Sequence, residues 1–217
     1  MTKEYKVIKK LISPELAKFL FDYFLIKKTA TNLLFEYNII SFFDEDFGKF
    51  GDLQIPNKNT FCIYGDTAFD TLLPKVKQKI EKTLNKKLTE TYSYARIYTT
   101  GDVLKPHKDR PNCEESITLN LGGDKWPIYL EDEEGEAIKI VLKPGDGLVY
   151  KGHKYRHWRD EFTGKECVQV FLHYIDKDNK NPHAAPYDFR PALGTTRLQN
   201  IHLHDQMRLR KARNENN

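Results

Sequence analysis

The first chemical signal in this chain is His107 and Asp109, in the run Pro106-His107-Lys108-Asp109-Arg110. Residues i and i+2 of an extended segment point the same way, so an imidazole and a carboxylate converge on one point there. With one remote histidine they make a 2-His-1-carboxylate facial set, which suits non-haem Fe(II) and leaves coordination positions open. A bidentate 2-oxo acid and O2 need those positions, and a fourth protein ligand would block one. His-x-Asp is common by chance, and a charged surface loop would carry the same residues, so the remote histidine and its setting decide.

Three histidines compete for the third position. Pro144-Gly145-Asp146-Gly147 is a tight turn, Leu148-Val149-Tyr150 is a strand leaving it, and His153-Lys154-Tyr155-Arg156-His157-Trp158-Arg159 is a loop before the last apolar strand, Cys167 to Tyr174. His157 is preferred for its place just before that strand. His153 with His157 at i,i+4 would suit a helical metal pair, but the residues between carry no apolar stripe. His173 lies deep in a strand, where a hydrogen-bonded core or pocket role fits.

The positioning elements fall into three zones. Residues 1–90 read as mainly helical support for the same domain. Ser13 is an N-cap with Pro14 at the first helical position, and Leu16, Phe19, Leu20, Tyr23 and Phe24 follow at helical spacing. The stretch Phe42 to Asn59 reads as a loop. A second helix starts near Asp66, with an apolar stripe of Phe69, Leu72, Leu73, Val76, Ile80 and Leu84, kinked or divided by Pro74. Residues 91–176 carry strands at Tyr92 to Thr99, Ser116 to Leu121, Pro127 to Leu130, Ala137 to Leu142, Gly147 to Tyr150 and Cys167 to Ile175, separated by Gly-rich turns. Short strands so divided predict a sandwich, barrel or jelly roll. Residues 177–217 are a polar extension with a basic end, Arg208 to Arg213, which reads as a solvated tail.

The 217 residues suit one domain with elaborations, and the formal charge of +4 is mild and shows no concentrated basic face of the kind nucleic acid takes. Cys62, Cys113 and Cys167 are odd in number and far apart, which is neither a disulfide framework nor a zinc spacing. There is no secretory pattern at the N-terminus and no run long enough to span a bilayer. The expectation is a soluble, cytoplasmic protein with neither membrane nor nucleic-acid partner; oligomeric state is not legible.

The run from 92 to 176 resembles the double-stranded β-helix of the prolyl-4-hydroxylase-like 2-oxoglutarate/Fe(II) dioxygenases, and more narrowly a small phage and microbial group of that superfamily. The matching segments are Tyr-Ser-Tyr-Ala-Arg-Ile-Tyr (92–98), Pro-His-Lys-Asp-Arg-Pro (106–111), Trp-Pro-Ile-Tyr-Leu-Glu (126–131), Pro-Gly-Asp (144–146), His-Trp-Arg (157–159) and Gln-Val-Phe-Leu-His-Tyr (169–174). The resemblance implies an α+β jelly roll, cupin-like, with N-terminal supporting helices. It implies His107, Asp109 and His157 as iron ligands. It further implies Fe(II), 2-oxoglutarate and O2, with ascorbate an optional addition. The reaction implied is decarboxylation to succinate and CO2 coupled to hydroxylation of a C–H bond, with a prolyl or other amino-acyl side chain in a peptide or protein favoured as substrate and a small metabolite as alternative.

The pattern departs from the family in one place. Many relatives carry Lys or Arg near the start of the last strand for the distal carboxylate of 2-oxoglutarate, where this chain has Cys167 and Gln169. A buried carboxylate still needs donors. Tyr92, Tyr94, Arg96 and Tyr98 share one face of the first strand of the second zone, so Arg96 with Tyr94 and Tyr98 is the leading set. Lys165 and Arg159, both in a loop, are weaker candidates, while Gln169 and His173 on the mixed face of the last strand are further hydrogen-bond donors. Trp158 and Arg159 would shape the substrate mouth, or else pack and face solvent. Arg110 would orient Asp109, or face solvent. Rival readings are a cupin-like metal-binding module without oxygenase activity and an interaction protein acting through its basic tail. A nucleobase demethylase is a further rival, against which stands the lack of an Arg-x-Asn-x-x-x-x-x-Arg run after His157.

Overall fold

The computed structural model describes residues 5–41, 44–132 and 134–195. In chain order these form β1 (Lys6–Ile8), α1 (Pro14–Glu36), β2 (Lys49–Phe50), β3 (Phe61–Tyr64), α2 (Thr67–Asp70), α3 (Leu72–Leu84), β4 (Leu88–Thr99), β5 (Leu104–His107), β6 (Glu115–Gly123), β7 (Ile128–Glu131), β8 (Ala137–Ile140), β9 (Gly147–Tyr150), β10 (His157–Arg159) and β11 (Glu166–Asp176). The strands make two antiparallel sheets, a larger one ordered β1-β9-β6-β11-β4-β3-β2 and a smaller one ordered β5-β10-β7-β8.

Both helical units cover the outer face of the larger sheet. α1 begins as its sequence dictates: the Ser13 hydroxyl accepts from the Leu16 N–H and Pro14 occupies the first turn. Its buried side, Ala17, Leu20 and Phe24, joins Phe61, Phe69, Leu119 and Leu121 in the main core. The rings of Phe24, Phe61 and Phe69 meet there at centroid distances of 5.4 and 5.0 Å. α3 buries Leu72, Leu73, Val76 and Ile80 against β4 and β11, and the Tyr174 hydroxyl donates to the Leu73 carbonyl at 2.8 Å. The helix starting near Asp66 is divided, but at Thr71, between α2 and α3. Pro74 falls in the first turn of α3, where its missing N–H leaves no bond unmade.

The strands alternate as a half-buried pleat requires. Ala95 and Ile97 of β4 join the helix-side core. Tyr94, Arg96 and Tyr98 face the smaller sheet, opposite Phe171, Gln169 and Cys167 of β11. Between the sheets, Tyr98, Cys167, Leu104, Trp126, Phe162 and Ile55 pack as a second cluster.

Three features correct the sequence reading. The first zone is not only helix and loop, since β1, β2 and β3 extend the larger sheet at both ends and β2 lies inside the segment read as a loop. These strands are too short for periodicity to show; register with distant partners, Phe61 opposite Ile97 and Lys6 opposite Val149, creates them. β5 and β10 arise in the same way, so His157 opens a strand rather than lying in a loop. The polar extension is built into the body as far as it is described. Asp188 and Arg190 are buried, and Arg190 pairs with Asp70 at 2.8 Å with both side chains 1% exposed. The basic end, 208–213, lies outside the described residues. Among the described residues no helix is long and apolar enough to cross a membrane.

Asp146 locks the chain's entry to the tight turn before β9. Its carboxylate accepts from the Lys10 and Lys143 N–H groups and from the Lys9 ammonium. Burial pushes its pKa up, but those hydrogen bonds outweigh burial and hold it below its ordinary value. A group with a depressed folded-state pKa stabilises above its unfolded value and loses that contribution as pH falls through the folded one. Asp146→Ala should therefore lower stability by about 1–3 kcal/mol at neutral pH. In urea melts, the gap from wild type should be full above the ordinary value of 3.8 and close as pH falls further below it; a gap independent of pH would contradict this.

Candidate active site

β5 ends on His107 and β10 begins on His157, and the two residues pair directly across the smaller sheet. Their rings lie side by side with centroids 4.2 Å apart. Each ring is fixed by the carbonyl two residues before it: His107 Nδ1 is 2.8 Å from the Lys105 carbonyl, and His157 Nδ1 is 3.1 Å from the Tyr155 carbonyl. A carbonyl can only accept, so Nδ1 carries the proton in both rings and the Nε2 lone pairs turn inward. Each Nε2 stands 3.6 Å from Oδ1 of Asp109. The three ligand atoms lie within 4.8 Å of one another.

Asp109 is held from behind. Its N–H donates to the Gly152 carbonyl at 2.9 Å, and the Ser116 hydroxyl donates to Oδ2 at 3.3 Å. Any Cβ at residue 152 would overlap Asp109 Oδ2 and Ser116 Oγ, so only glycine leaves room for the carboxylate.

The rival histidines stand elsewhere. His153 is exposed, and its N–H bonds the Cys113 carbonyl. His173 is near Asp109 and Cys113, and those three could also hold a metal by distance. However, its Nδ1 is 3.0 Å from Ser116 Oγ, its ring packs on Tyr92 at 4.5 Å, and burial drives its pKa down to about 4. It therefore supports Ser116, and through it Asp109, as a neutral ring.

A cavity of about 280 Å³ opens beside the two histidines and Asp109, with Tyr94, Arg96, Tyr98 and Phe171 in its wall. Arg96 is 2% exposed on an interior strand, its guanidinium 5.2 and 5.4 Å from the rings of Tyr94 and Tyr98. It is already engaged: Nη2 pairs with Asp52, and Nη1 donates to Gln54 Oε1 at 2.9 Å. The Tyr94 hydroxyl also donates to Asp52, at 2.8 Å, and Gln54 Nε2 lies 3.0 Å from His107 Nε2.

Other candidates are engaged elsewhere, Arg110 while still bordering the cavity. Gln169 is buried, with its amide donating to Cys167 Sγ at 3.1 Å, and it does not border the cavity. Lys165 is exposed in its loop and offers only its N–H, to Asp124. Arg110 turns from Asp109 and makes two 2.6 Å hydrogen bonds to Asp188 while lying 4.2 Å over Tyr92. Trp158 stacks on Tyr129 with centroids 5.5 Å apart, and Arg159 is fully buried rather than facing solvent. Gly152, Ser116, Asp52, Gln54 and Asp188 were not found from sequence. Each acts through a partner distant in the chain, and only the glycine carried any local mark.

No family model matches the chain, and no curated protein matches it. Solved structures do. A prolyl-4-hydroxylase from Pseudomonas putida aligns at 13% identity and TM-score 0.52, over 81% of this chain and 94% of that one. The chain has the double-stranded β-helix fold of the 2-oxoglutarate/Fe(II) oxygenases. A Trichoplax adhaerens prolyl hydroxylase, in complex with a peptide fragment of the hypoxia inducible factor oxygen degradation domain, aligns at 15% identity and TM-score 0.58, over 81% and 85%. HygX from Streptomyces hygroscopicus, with nickel and 2-oxoglutarate bound, aligns at 12% identity and TM-score 0.53, over 85% and 91%. In this chain His107, Asp109 and His157 meet at a cavity walled by residues of both sheets.

Calorimetric titration with Mn(II) or Ni(II) tests the cluster. Alanine at His107, Asp109 or His157 should abolish tight binding. Ser116→Ala should weaken it about 10- to 100-fold, as expected for a group that orients a ligand. His153→Ala should bind as wild type; a loss there equal to that of His157→Ala would reassign the third ligand.

Proposed function

We propose that this chain is an Fe(II)- and 2-oxoglutarate-dependent dioxygenase that hydroxylates an unactivated C–H bond of a prolyl or other amino-acyl side chain in a peptide or protein. The observation that carries this reading is the pair of imidazoles with Nδ1 bound to carbonyls and Nε2 turned on one carboxylate. Two neutral nitrogens and one anionic oxygen fit Fe(II), and His107, Asp109 and His157 would hold it. Fe(II) bound there would supply the O2 chemistry that couples conversion of 2-oxoglutarate to succinate and CO2 with transfer of one oxygen atom to the substrate.

The protein's own part is geometry and exclusion of water. The Lys105 and Tyr155 carbonyls fix the imidazole tautomers, and Ser116 fixes the carboxylate. Tyr94, Tyr98 and Phe171 wall the cavity, so a 2-oxo acid bound there would meet rings and hydroxyls rather than bulk water. Support for a peptide substrate comes from the Trichoplax neighbour's bound peptide and from the rim. Asp52 and Gln54 border the cavity, and Leu53 between them stands fully exposed, an apolar point that a bound chain would cover.

Purified protein given Fe(II), 2-oxoglutarate, ascorbate and proline-containing peptides should form succinate and add one oxygen atom to a peptide, detectable by mass spectrometry. His107→Ala should abolish both. A wild-type protein that binds Fe(II) yet never forms succinate would leave a metal-binding module in place of an oxygenase.

A further inference from the structure

Arg159 is a buried cation with no anion. It lies on β10 two residues past His157, so both side chains point to the same side of the strand. It is 1% exposed, its Nη1 donates to the Trp126 carbonyl, and its guanidinium lies 5.1 Å over the Trp126 ring. Its Nε and Nη2 are buried without a hydrogen-bond partner, and it forms no ion pair among the described residues. The other two buried arginines among the described residues are neutralised, Arg96 by Asp52 and Arg190 by Asp70. An uncompensated charge in a low-dielectric interior is costly, and a half-satisfied guanidinium doubly so.

Its surroundings say where an anion would sit. Arg159 pairs across the sheet with Leu104 and shares the Trp126 ring with Tyr98, whose centroid is 4.7 Å from it. Leu104 and Tyr98 both line the cavity beside His107, Asp109 and His157, so Arg159 packs directly behind that wall. The Tyr98 hydroxyl is also buried and unpartnered. Opposite Tyr98 on β11 stands Cys167, short enough to leave room for a guanidinium arriving from β10 in the facing sheet.

We infer that Arg159, with the Tyr98 hydroxyl, takes the far carboxylate of a 2-oxo dicarboxylate whose other end faces His107, Asp109 and His157, while Arg96 serves to hold the Asp52–Gln54 loop. The cation absent from the last strand is thus supplied by β10, from within the motif that carries the second histidine. This rests on the oxygenase reading, which provides the co-substrate. Arg159 sets selectivity for a dicarboxylate; chelation by the near end needs only the metal.

The test is calorimetric titration of 2-oxoglutarate and of 2-oxobutyrate, which lacks the far carboxylate, into Ni(II)-loaded wild type, Arg159→Gln and Arg96→Gln. Arg159→Gln should weaken 2-oxoglutarate about 10- to 100-fold, the range for losing charge-assisted hydrogen bonds. Its affinities for 2-oxobutyrate and for Ni(II) should match wild type. Unchanged 2-oxoglutarate affinity, an equal loss for both acids, or a loss in Arg96→Gln in place of Arg159→Gln would overturn the assignment. Where thermal melts show the glutamine variant unfolded, Arg159→Lys is read the same way, with a smaller loss still confined to 2-oxoglutarate. Binding of neither acid to Ni(II)-loaded wild type would instead refute the oxygenase reading itself.

Discussion

A single carboxylate held between two imidazoles is the constraint on which this structure turns. Asp109 is half-buried, and a carboxylate withdrawn from water without partners is disfavoured. The Ser116 hydroxyl donates to it, but the two Nε2 lone pairs that face it at 3.6 Å repel it, so the cluster is a set of three electron-rich atoms that calls for a cation between them. That arrangement needs β5 and β10 paired so that His107 and His157 face each other, and it needs residue 152 to lack a side chain. The smaller sheet is short and irregular, yet it holds both histidines. The larger sheet, braced by α1 and α3, is the platform against which that sheet closes.

The cavity wall shows how cations are rationed around this centre. Arg96 is matched by Asp52 from the loop before β3, and Arg110 by Asp188 from the segment after β11. Delivering Asp188 requires Tyr187, Asp188 and Phe189 to take positive φ values of 52, 57 and 63°. Left-handed backbone costs about 1–2 kcal/mol per non-glycine residue. The two hydrogen bonds to Arg110 and a further one from the Asn112 amide offset that cost. Strain of this kind gathers where side chains must be aimed, and here it aims an anion at the residue next to the carboxylate ligand. Among the described residues, Arg159 alone of the buried arginines is left unmatched, on the strand that carries His157.

The legible parts were those set by local periodicity. Alternation placed His107 with Asp109 and Tyr94 with Arg96 and Tyr98; capping placed the start of α1; turn chemistry separated the long strands. The illegible parts depend on partners far along the chain. β3 exists because Phe61 finds Ile97, and β10 because His157 lies between His107 and Leu130. Arg110 pairs with Asp188 instead of Asp109, a choice no spacing rule encodes. Lys165 and Gln169 were plausible by position, but exposure removes the first from the cavity and a thiol partner occupies the second. Arg159 was underrated because its strand was read as a loop, which hid the alternation that points it inward.

The most direct measurement of the central claim is an anomalous difference map from a crystal of the protein soaked anaerobically with Fe(II). The account predicts one strong peak within bonding distance of Nε2 of His107, Nε2 of His157 and a carboxylate oxygen of Asp109. A peak on His153 or on the Asp109–Cys113–His173 group, or no peak between the two sheets, would contradict it.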